Sequence, residues 1–383
     1  MKKLHWFTQT NIACKESKKL EFDLTNYIEV FIRKELWNKT KYRTEYNYKF
    51  EKSDLEKIKS LKLIIHTQIA PFSNFHQYEN IINEYFNISN IEKTKLFSSG
   101  ISEANKLAVI IAEFDSQVEL PKNLTYEQEK DDELVFENLT EESQKALQEL
   151  SVIKSIVCEF IQFFIFNLHL NYLTYGYTFR ITDKAAPIGF TVTSENENYF
   201  YETEKIELLS HYILYAKEKD NLHELMESTS KFWCTNIISV HFFLDALKGN
   251  YITSTNFTKL VFTLESFFGK NISNDYISLV VPLITSKSIA DMKFSRELIK
   301  KSFELRNEIV HGNSVINFLE DSSKKTTNNN NVKEMGMDKL FFALKNLVVK
   351  IFYFYINNNL YSQENGKKIN HELIFKLLPK GIA

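Results

Sequence analysis

The feature that most constrains the fold is a change in hydrophobic periodicity near residue 200 of this 383-residue chain. Before this point, segments of strand length predominate. The segment KYRTEYNYKF at residues 41–50 places an aromatic or threonine side chain at every second position, which is typical of a half-buried strand. After it, apolar residues recur at intervals of three and four, which is typical of amphipathic helices. The sequence therefore predicts an α+β domain with a mixed sheet at residues 1–200, followed by an all-α helical bundle at residues 201–383.

Individual elements follow from the same patterns. Before residue 200, we expect strands at residues 61–70 and 105–115, a long helix at 140–170, and two or three short strands within 175–202. After residue 200, helices are predicted at residues 205–219, 227–249, 253–269, 288–312 and 337–359. An acidic segment at residues 113–149 and an Asn-rich segment at residues 320–336 are too polar to bury a core, so we expect both at the solvent surface.

Composition excludes several functional classes. The net charge of −2 argues against a broadly basic nucleic-acid-binding protein, so any contact with nucleic acid must be local. The three cysteines are widely spaced and the histidines show no metal-ligand spacing, so we expect no disulfide framework, no metal and no cofactor. Charged residues interrupt the apolar runs at residues 155–170 and 341–356, which predicts buried helices and no membrane span. We expect a cytoplasmic protein.

The helix predicted at residues 288–312 carries a cation on its apolar face. Ile299, Phe303 and Val310 are spaced i, i+4 and i+11, and position i+7 of that series is Arg306. An unpaired charge buried between helices costs several kcal/mol, in the range of about 3–5, so this arginine needs an explanation.

A structural interpretation of this helix end requires no chemistry. Arg306 can pair with a carboxylate such as Glu265, which flanks the apolar stripe of the helix predicted at residues 253–269. A histidine in the last turn, His311, interacts favourably with the helix dipole, and Gly312 is an ordinary helix stop. His241, within an apolar segment, is likewise expected to be a packed core residue and not a second catalytic group.

A catalytic interpretation uses the same residues. Asn307 and His311 are spaced i, i+4 and share one face of the helix. Arg306 and His311 are about 140° apart on an ideal wheel, but a long arginine side chain can curl back toward the Asn307–His311 edge. Spacing alone leaves both interpretations open.

Two segments of the bundle resemble the HEPN superfamily (higher eukaryote and prokaryote nucleotide-binding domains), and most of all its Apea-like branch. SFELRNEIVHG at residues 302–312 contains the R-N-x3-H arrangement of that family's R-x4–6-H motif, with Arg306, Asn307 and His311 followed by glycine. LVFTLESFFG at residues 260–269 resembles the preceding helix of the family, and Glu265 is at the position of its polar residue near the site. The resemblance covers residues 200–360 and leaves the N-terminal half uncovered.

This resemblance implies a metal-independent endoribonuclease that acts on cellular RNA such as tRNA. His311 can transfer a proton near neutral pH, Arg306 can bind phosphate oxygens, and Asn307 can orient His311 or the phosphate through its amide. Because one histidine cannot easily serve both sides of an in-line displacement, a homodimer through the HEPN domain is expected to supply the second. Proteins of this branch are associated with defence against phage or act as toxins, so residues 1–200 are expected to sense a trigger, such as a phage-derived molecule, or to restrain the nuclease.

The role of the basic residues on this helix and the catalytic activity itself each have an alternative interpretation. The same predicted helix carries four basic residues that can track an RNA backbone: Lys293, Arg296, Lys300 and Lys301. With Glu297 and Glu304 between them, these residues equally fit an ordinary solvated face. The alternative to a nuclease is a non-catalytic HEPN module for dimerisation or RNA binding, with ligand or protein recognition in the N-terminal domain.

Overall fold

A computed structural model describes thirteen continuous stretches of the chain together with five isolated residues. The described residues are 2–10, 12–15, 17, 19–33, 52–66, 108–116, 141, 152, 156, 159–160, 162–171, 189–194, 197–202, 212–247, 252–268, 272–312, 332 and 335–360. The chain divides into two compact units, Met1–Ile165 with Phe179–Glu227 and Phe166–Thr178 with Ser228–Ala383. Each unit thus takes residues from both sides of the boundary predicted at residue 200. The strand predicted at residues 41–50 and most of the two polar segments lie outside the described residues.

The first unit is built on β-sheet. Its strands are β1 (Lys2–Thr10), β2 (Ile12–Lys15), β3 (Lys19–Asp23), β4 (Ile58–His66), β5 (Ala108–Ser116), β6 (Gly189–Ser194), β7 (Glu197–Glu202) and β8 (Tyr212–Tyr215). Six of them form one sheet in the order β3-β4-β5-β1-β6-β7, in which every pairing is antiparallel. The parallel pairing, between β2 and β8, belongs to a separate two-stranded sheet. The strands expected at residues 61–70, at residues 105–115 and within 175–202 are present as β4, β5, β6 and β7. The large sheet of the described part is antiparallel and not mixed.

Two short helices accompany the sheet, α1 (Thr25–Arg33) and α2 (Lys52–Lys57). The start of α1 is tied to β4, because the Leu61 amide donates to the Thr25 hydroxyl at 3.0 Å. Aromatic rings then pack α1 against the end of the helix predicted at residues 140–170, with Phe31 and Phe160 at a centroid distance of 5.0 Å. The described residues between 141 and 171 are helical, as predicted.

The rest of the described chain is helical. We label its helices α3 (residues 162–171), α4 (Lys219–Thr235), α5 (Ile237–Leu247), α6 (Ser254–Ser266), α7 (Asn274–Thr285), α8 (Ile289–Val310) and α9 (Met337–Asn357). Helices α6, α8 and α9 confirm the predictions for residues 253–269, 288–312 and 337–359. The prediction of a helical C-terminal region is therefore confirmed.

Three helical predictions need correction. The helix predicted at residues 205–219 is wrong over Tyr212–Tyr215, which forms β8 beside β2. The helix predicted at 227–249 is two helices separated at Asn236. Helix α7 was not predicted; it contains Pro282, a residue that removes a backbone donor from a helix interior. In each case tertiary contacts outweigh the local pattern.

The core of the second unit is aromatic. Phe352 of α9 is fully buried and contacts the rings of four other phenylalanines at centroid distances between 4.9 and 5.6 Å. These partners come from α3, α4 and α5 and from the residue after α6: Phe166, Phe232, Phe243 and Phe267. One side chain of α9 thus joins most of the helices in the unit.

Helix α9 is also the one helix of the described part that is long and apolar enough to cross a membrane by length and composition. Its most apolar window has a mean hydropathy of 1.4, and 61% of that window is buried inside the protein. Leu344, Val348 and Phe352 have no exposed surface. The helix packs as a core element of the second unit.

A buried histidine gives this core a pH dependence. His169 of α3 is 1% exposed, and its Nε2 atom has no hydrogen-bond partner among the described residues. Burial lowers the pKa of His169 well below its ordinary value, and the charge of Lys345 lowers it further. The folded protein therefore holds this side chain neutral, whereas the unfolded chain binds a proton below about pH 6.5.

We expect the free energy of unfolding to fall as the pH drops below about 6.5, by up to about 1.4 kcal/mol per pH unit from this group. Above that pH both states are neutral at His169 and the contribution is constant. Urea unfolding at a series of pH values measures the slope, and His169→Gln should reduce it. His241→Gln, at a half-buried position of α5, is the control. Equal slopes for wild type and His169→Gln would contradict the assignment.

Candidate functional site

Helix α8 presents the residues of the candidate site at its C-terminal end. Its start is capped by Ser288, whose hydroxyl accepts the Asp291 amide at 3.1 Å. Its end is closed at His311, and Gly312 follows in the left-handed conformation with φ of 70°, as expected for a glycine after a helix. The last turn of the helix therefore has a defined position.

The apolar stripe of α8 is buried along most of the helix and emerges at this end. Ile299 and Phe303 are buried, Arg306 is half-buried, and Val310 is 56% exposed. The prediction that Arg306 lies on the packed face is confirmed. The expectation that Val310 extends the buried stripe is wrong, because the described residues leave it uncovered.

The guanidinium of Arg306 has polar partners on two sides. Its Nη2 atom donates to Oε1 of Glu265, on α6, in an ion pair whose side chains are 19% and 28% exposed. Its Nη1 atom donates to Oδ1 of Asn307 at 2.8 Å. Its Nε atom is buried and has no hydrogen-bond partner within the described part of the chain. The ion pair that the structural interpretation predicts is therefore present.

Two phenylalanines complete the surroundings of Arg306. The guanidinium carbon lies 5.9 Å from the ring centroids of both Phe262 and Phe303, within the range of a cation–π interaction. From the sequence, Phe303 is predicted only as part of the apolar stripe of α8, and Phe262 is given no role. Each of the two precedes a charged member of the site by three positions on the same helix, which is the spacing of neighbouring side chains.

The carboxylate of Glu265 lies in a partly desolvated position. Burial raises its pKa above the ordinary value, and the neighbouring Arg306 offsets part of this increase through its charge and its hydrogen bond. The net direction is upward, so desolvation outweighs the ion pair. Burial of Glu265 thus disfavours its charged form, and the pairing with Arg306 favours it.

Asn307 and His311 occupy the exposed side of the same helix end. Both side chains are exposed, and the His311 amide donates to the Asn307 carbonyl at 3.0 Å. In the residues that the structure describes, no side-chain hydrogen bond joins His311 to Asn307 or Arg306. The structure therefore brings Arg306, Asn307 and Glu265 together, and it places His311 one turn beyond Asn307, open to solvent.

The four basic residues of α8 that are expected to track an RNA backbone differ in their exposure. Lys293, Arg296 and Lys300 are exposed. Lys301 is half-buried, and its Nζ atom donates to the Val332 carbonyl at 3.0 Å. At 100° per residue, Lys293, Lys300, Asn307 and His311 fall within about 40° on one exposed face, so the exposed basic residues lead along the helix to the candidate site.

In the described stretches, no three His, Cys, Asp or Glu side chains are grouped closely enough to hold a metal ion. His241 packs beside Trp233 at a ring distance of 6.2 Å, and its Nε2 atom is buried. The end of α8 carries a guanidinium, which can bind phosphate oxygens, a side-chain amide, and an imidazole, which can transfer a proton.

Comparison with family models gives no match for this chain, and neither curated proteins nor solved structures give a significant one. The resemblance to the HEPN superfamily thus depends on the residues of α6 and α8 themselves. The fold and site define a protein with a unit built on an antiparallel sheet and a helical unit in which α8 carries Arg306, Asn307 and His311 at its end, referred to below as the Arg-Asn-His cluster.

Proposed function

We propose that this chain is a metal-independent endoribonuclease of the HEPN type that cleaves cellular RNA such as tRNA. The observation that carries the proposal is the end of α8, where Arg306 donates to Asn307 at 2.8 Å and an exposed histidine follows one turn later. A guanidinium bonded to an exposed amide, with an exposed imidazole one turn further along the helix, suits a phosphodiester substrate.

The chemistry assigns each group a step. His311 accepts the proton of the ribose 2′-hydroxyl while the 2′-oxygen forms a bond to phosphorus. The bond between phosphorus and the 5′-oxygen breaks, and that oxygen takes a proton as it leaves. Arg306 stabilises the negative charge that builds on the phosphoryl oxygens, and Asn307 orients the guanidinium. The products are a 2′,3′-cyclic phosphate and a 5′-hydroxyl.

The second proton transfer needs a second group, and we propose that a homodimer through the helical unit supplies the partner's histidine. Val310 supports this proposal, because an apolar side chain that is 56% exposed lies immediately before His311. Covering it with a second copy would remove apolar surface from water beside the site.

The N-terminal part of the chain is assigned a regulatory role in this proposal. Residues 1–200 sense a trigger, such as a phage-derived molecule, and the nuclease acts in the cytoplasm as an antiviral or toxin effector that damages the cell's own RNA. No membrane partner is part of the proposal.

A second candidate function is a non-catalytic helical module for dimerisation or RNA binding, with ligand or protein recognition by the first unit. The ion pair between Arg306 and Glu265 favours it, because this contact satisfies part of the guanidinium without a substrate. The two candidates differ in whether purified protein cuts RNA.

Arg306→Ala is expected to lower the rate of RNA cleavage by roughly 10²–10³, since the substitution removes a charge that stabilises the transition state. The measurement incubates purified protein with tRNA or total RNA in EDTA and follows the appearance of fragments. Lys287→Ala, which removes an exposed charge just before α8, is the matched control.

Fragments that form equally fast with Arg306→Ala would refute the nuclease. The same conclusion follows if wild type cuts no RNA in vitro and causes no RNA damage when cells that express it are challenged with phage. Phage challenge covers a nuclease that is silent until its trigger binds.

A further inference from the structure

The anion-binding group of the proposed site already holds an anion. In this conformation one Nη atom of Arg306 binds the Glu265 carboxylate, and the other binds Asn307. An arginine fork binds phosphate through both Nη atoms or through Nε and Nη2, so the Nη2 atom that Glu265 holds takes part in either arrangement. A phosphodiester can therefore reach the full fork only if Glu265 gives way.

The surroundings hold the pair in place. The guanidinium lies 5.9 Å from the rings of Phe262 and Phe303, on the two helices that also carry Glu265 and Arg306. Both charged side chains are less than one third exposed. Water screens such a pair less than an exposed one. An incoming phosphate therefore has to compete with a favourable ion pair between Arg306 and Glu265.

On this basis we infer that Glu265 is an internal competitor for the anionic substrate of the proposed nuclease, and that it sets the affinity of Arg306 for phosphate. The inference rests on the proposed function for the identity of the substrate, an RNA phosphodiester. Its core claim, competition between a carboxylate and a phosphate for one guanidinium, is measurable without any cleavage.

Glutamine at position 265 separates charge from shape. Its amide oxygen can still accept from Arg306, so the guanidinium keeps a neighbour of the same size, while the competing charge is gone. We expect Glu265→Gln to tighten the binding of inorganic phosphate by about tenfold, since a charge-assisted hydrogen bond becomes a neutral one. Isothermal titration calorimetry of the full chain with phosphate gives the dissociation constants.

Two further variants make the test specific. Glu308→Gln removes the same charge from an exposed position of α8 beside Asn307, and we expect it to change phosphate affinity by less than about twofold, as for a screened surface charge. In an Arg306→Ala background, Glu265→Gln should give no gain. A purely structural role for Glu265 would not produce a gain that depends on Arg306.

The inference is overturned if Glu265→Gln binds phosphate no tighter than wild type, if Glu308→Gln gives the same gain, or if the gain persists without Arg306. RNA cleavage in EDTA, run on the same proteins, separates this result from the proposed function. If cleavage requires Arg306 but Glu265→Gln leaves phosphate affinity unchanged, Glu265 is not a competitor, and the proposed nuclease function stands. If Glu265→Gln gives an Arg306-dependent gain in phosphate affinity but no protein cleaves RNA, the competition is supported and the proposed nuclease function is refuted.

Discussion

Alanine in place of His311 is expected to lower the rate of RNA cleavage by roughly 10²–10⁴, the usual contribution of a general acid–base group. The same substitution should change the free energy of unfolding by no more than about 1 kcal/mol, the scale of a histidine's interaction with a helix C-terminus. His311 is exposed, and its backbone conformation, with φ of −86° and ψ of 1°, is accessible to alanine. Initial rates of tRNA fragmentation and urea unfolding together measure the two effects.

The matched control for His311 is Glu304→Ala. Glu304 is exposed about two turns earlier on the same face of α8, and it has no role in the proposed chemistry. We expect its cleavage rate to stay within a few-fold of wild type. If His311→Ala and Glu304→Ala cut RNA at equal rates, His311 is a helix-capping residue and nothing more.

The largest expected effect on stability is that of Phe352→Ala, which should lower the free energy of unfolding of the helical unit by about 3–5 kcal/mol. Phe352 is fully buried and contacts four phenylalanine rings at 4.9–5.6 Å. Its truncation removes apolar surface and leaves a cavity that the surrounding rings can fill only in part. Urea unfolding followed by far-ultraviolet circular dichroism measures the loss.

Phe354→Ala provides the comparison for this effect, since Phe354 belongs to the same helix but is half-buried. We expect its cost to be less than half that of Phe352→Ala. Equal costs at the two positions would mean that the aromatic contacts of Phe352 contribute little to the unit. Phe352→Leu should fall between the two, because leucine refills part of the space.

Local patterns predicted the long helices because those helices bury a regular stripe. Leu298, Ile299 and Phe303 recur at helical spacing, and all three are buried in α8. Sheet topology could not be predicted in the same way. β1 pairs with β5, more than ninety residues later, and also with β6, and no pattern within a strand encodes such distant partners. The four residues of β8 are likewise too few for a period to distinguish strand from helix.

The candidate site shows the same division. The position of Arg306 on the packed face could be predicted because it depends on spacing along one helix. Glu265 could be named as a candidate partner because it flanks the apolar stripe of the preceding helix. The contact of Phe262 with Arg306 depends on how α6 and α8 cross, and the exposure of Val310 depends on where the neighbouring helices stop. Such features arise from packing between elements, and the periodicity within one element carries no information about that packing.

The path of the chain has a consequence for how this protein can be divided or exchanged. The ring of Phe166, in the centre of the helical unit, is followed by residues 179–227, which belong to the sheet unit, before the chain returns at Ser228. A gene fragment that starts at residue 201 would encode every residue of the Arg-Asn-His cluster and still lack a central part of its core. The coding segments of the two units therefore alternate in the gene. We expect recombination to transfer the two units together, because neither is encoded by one continuous segment.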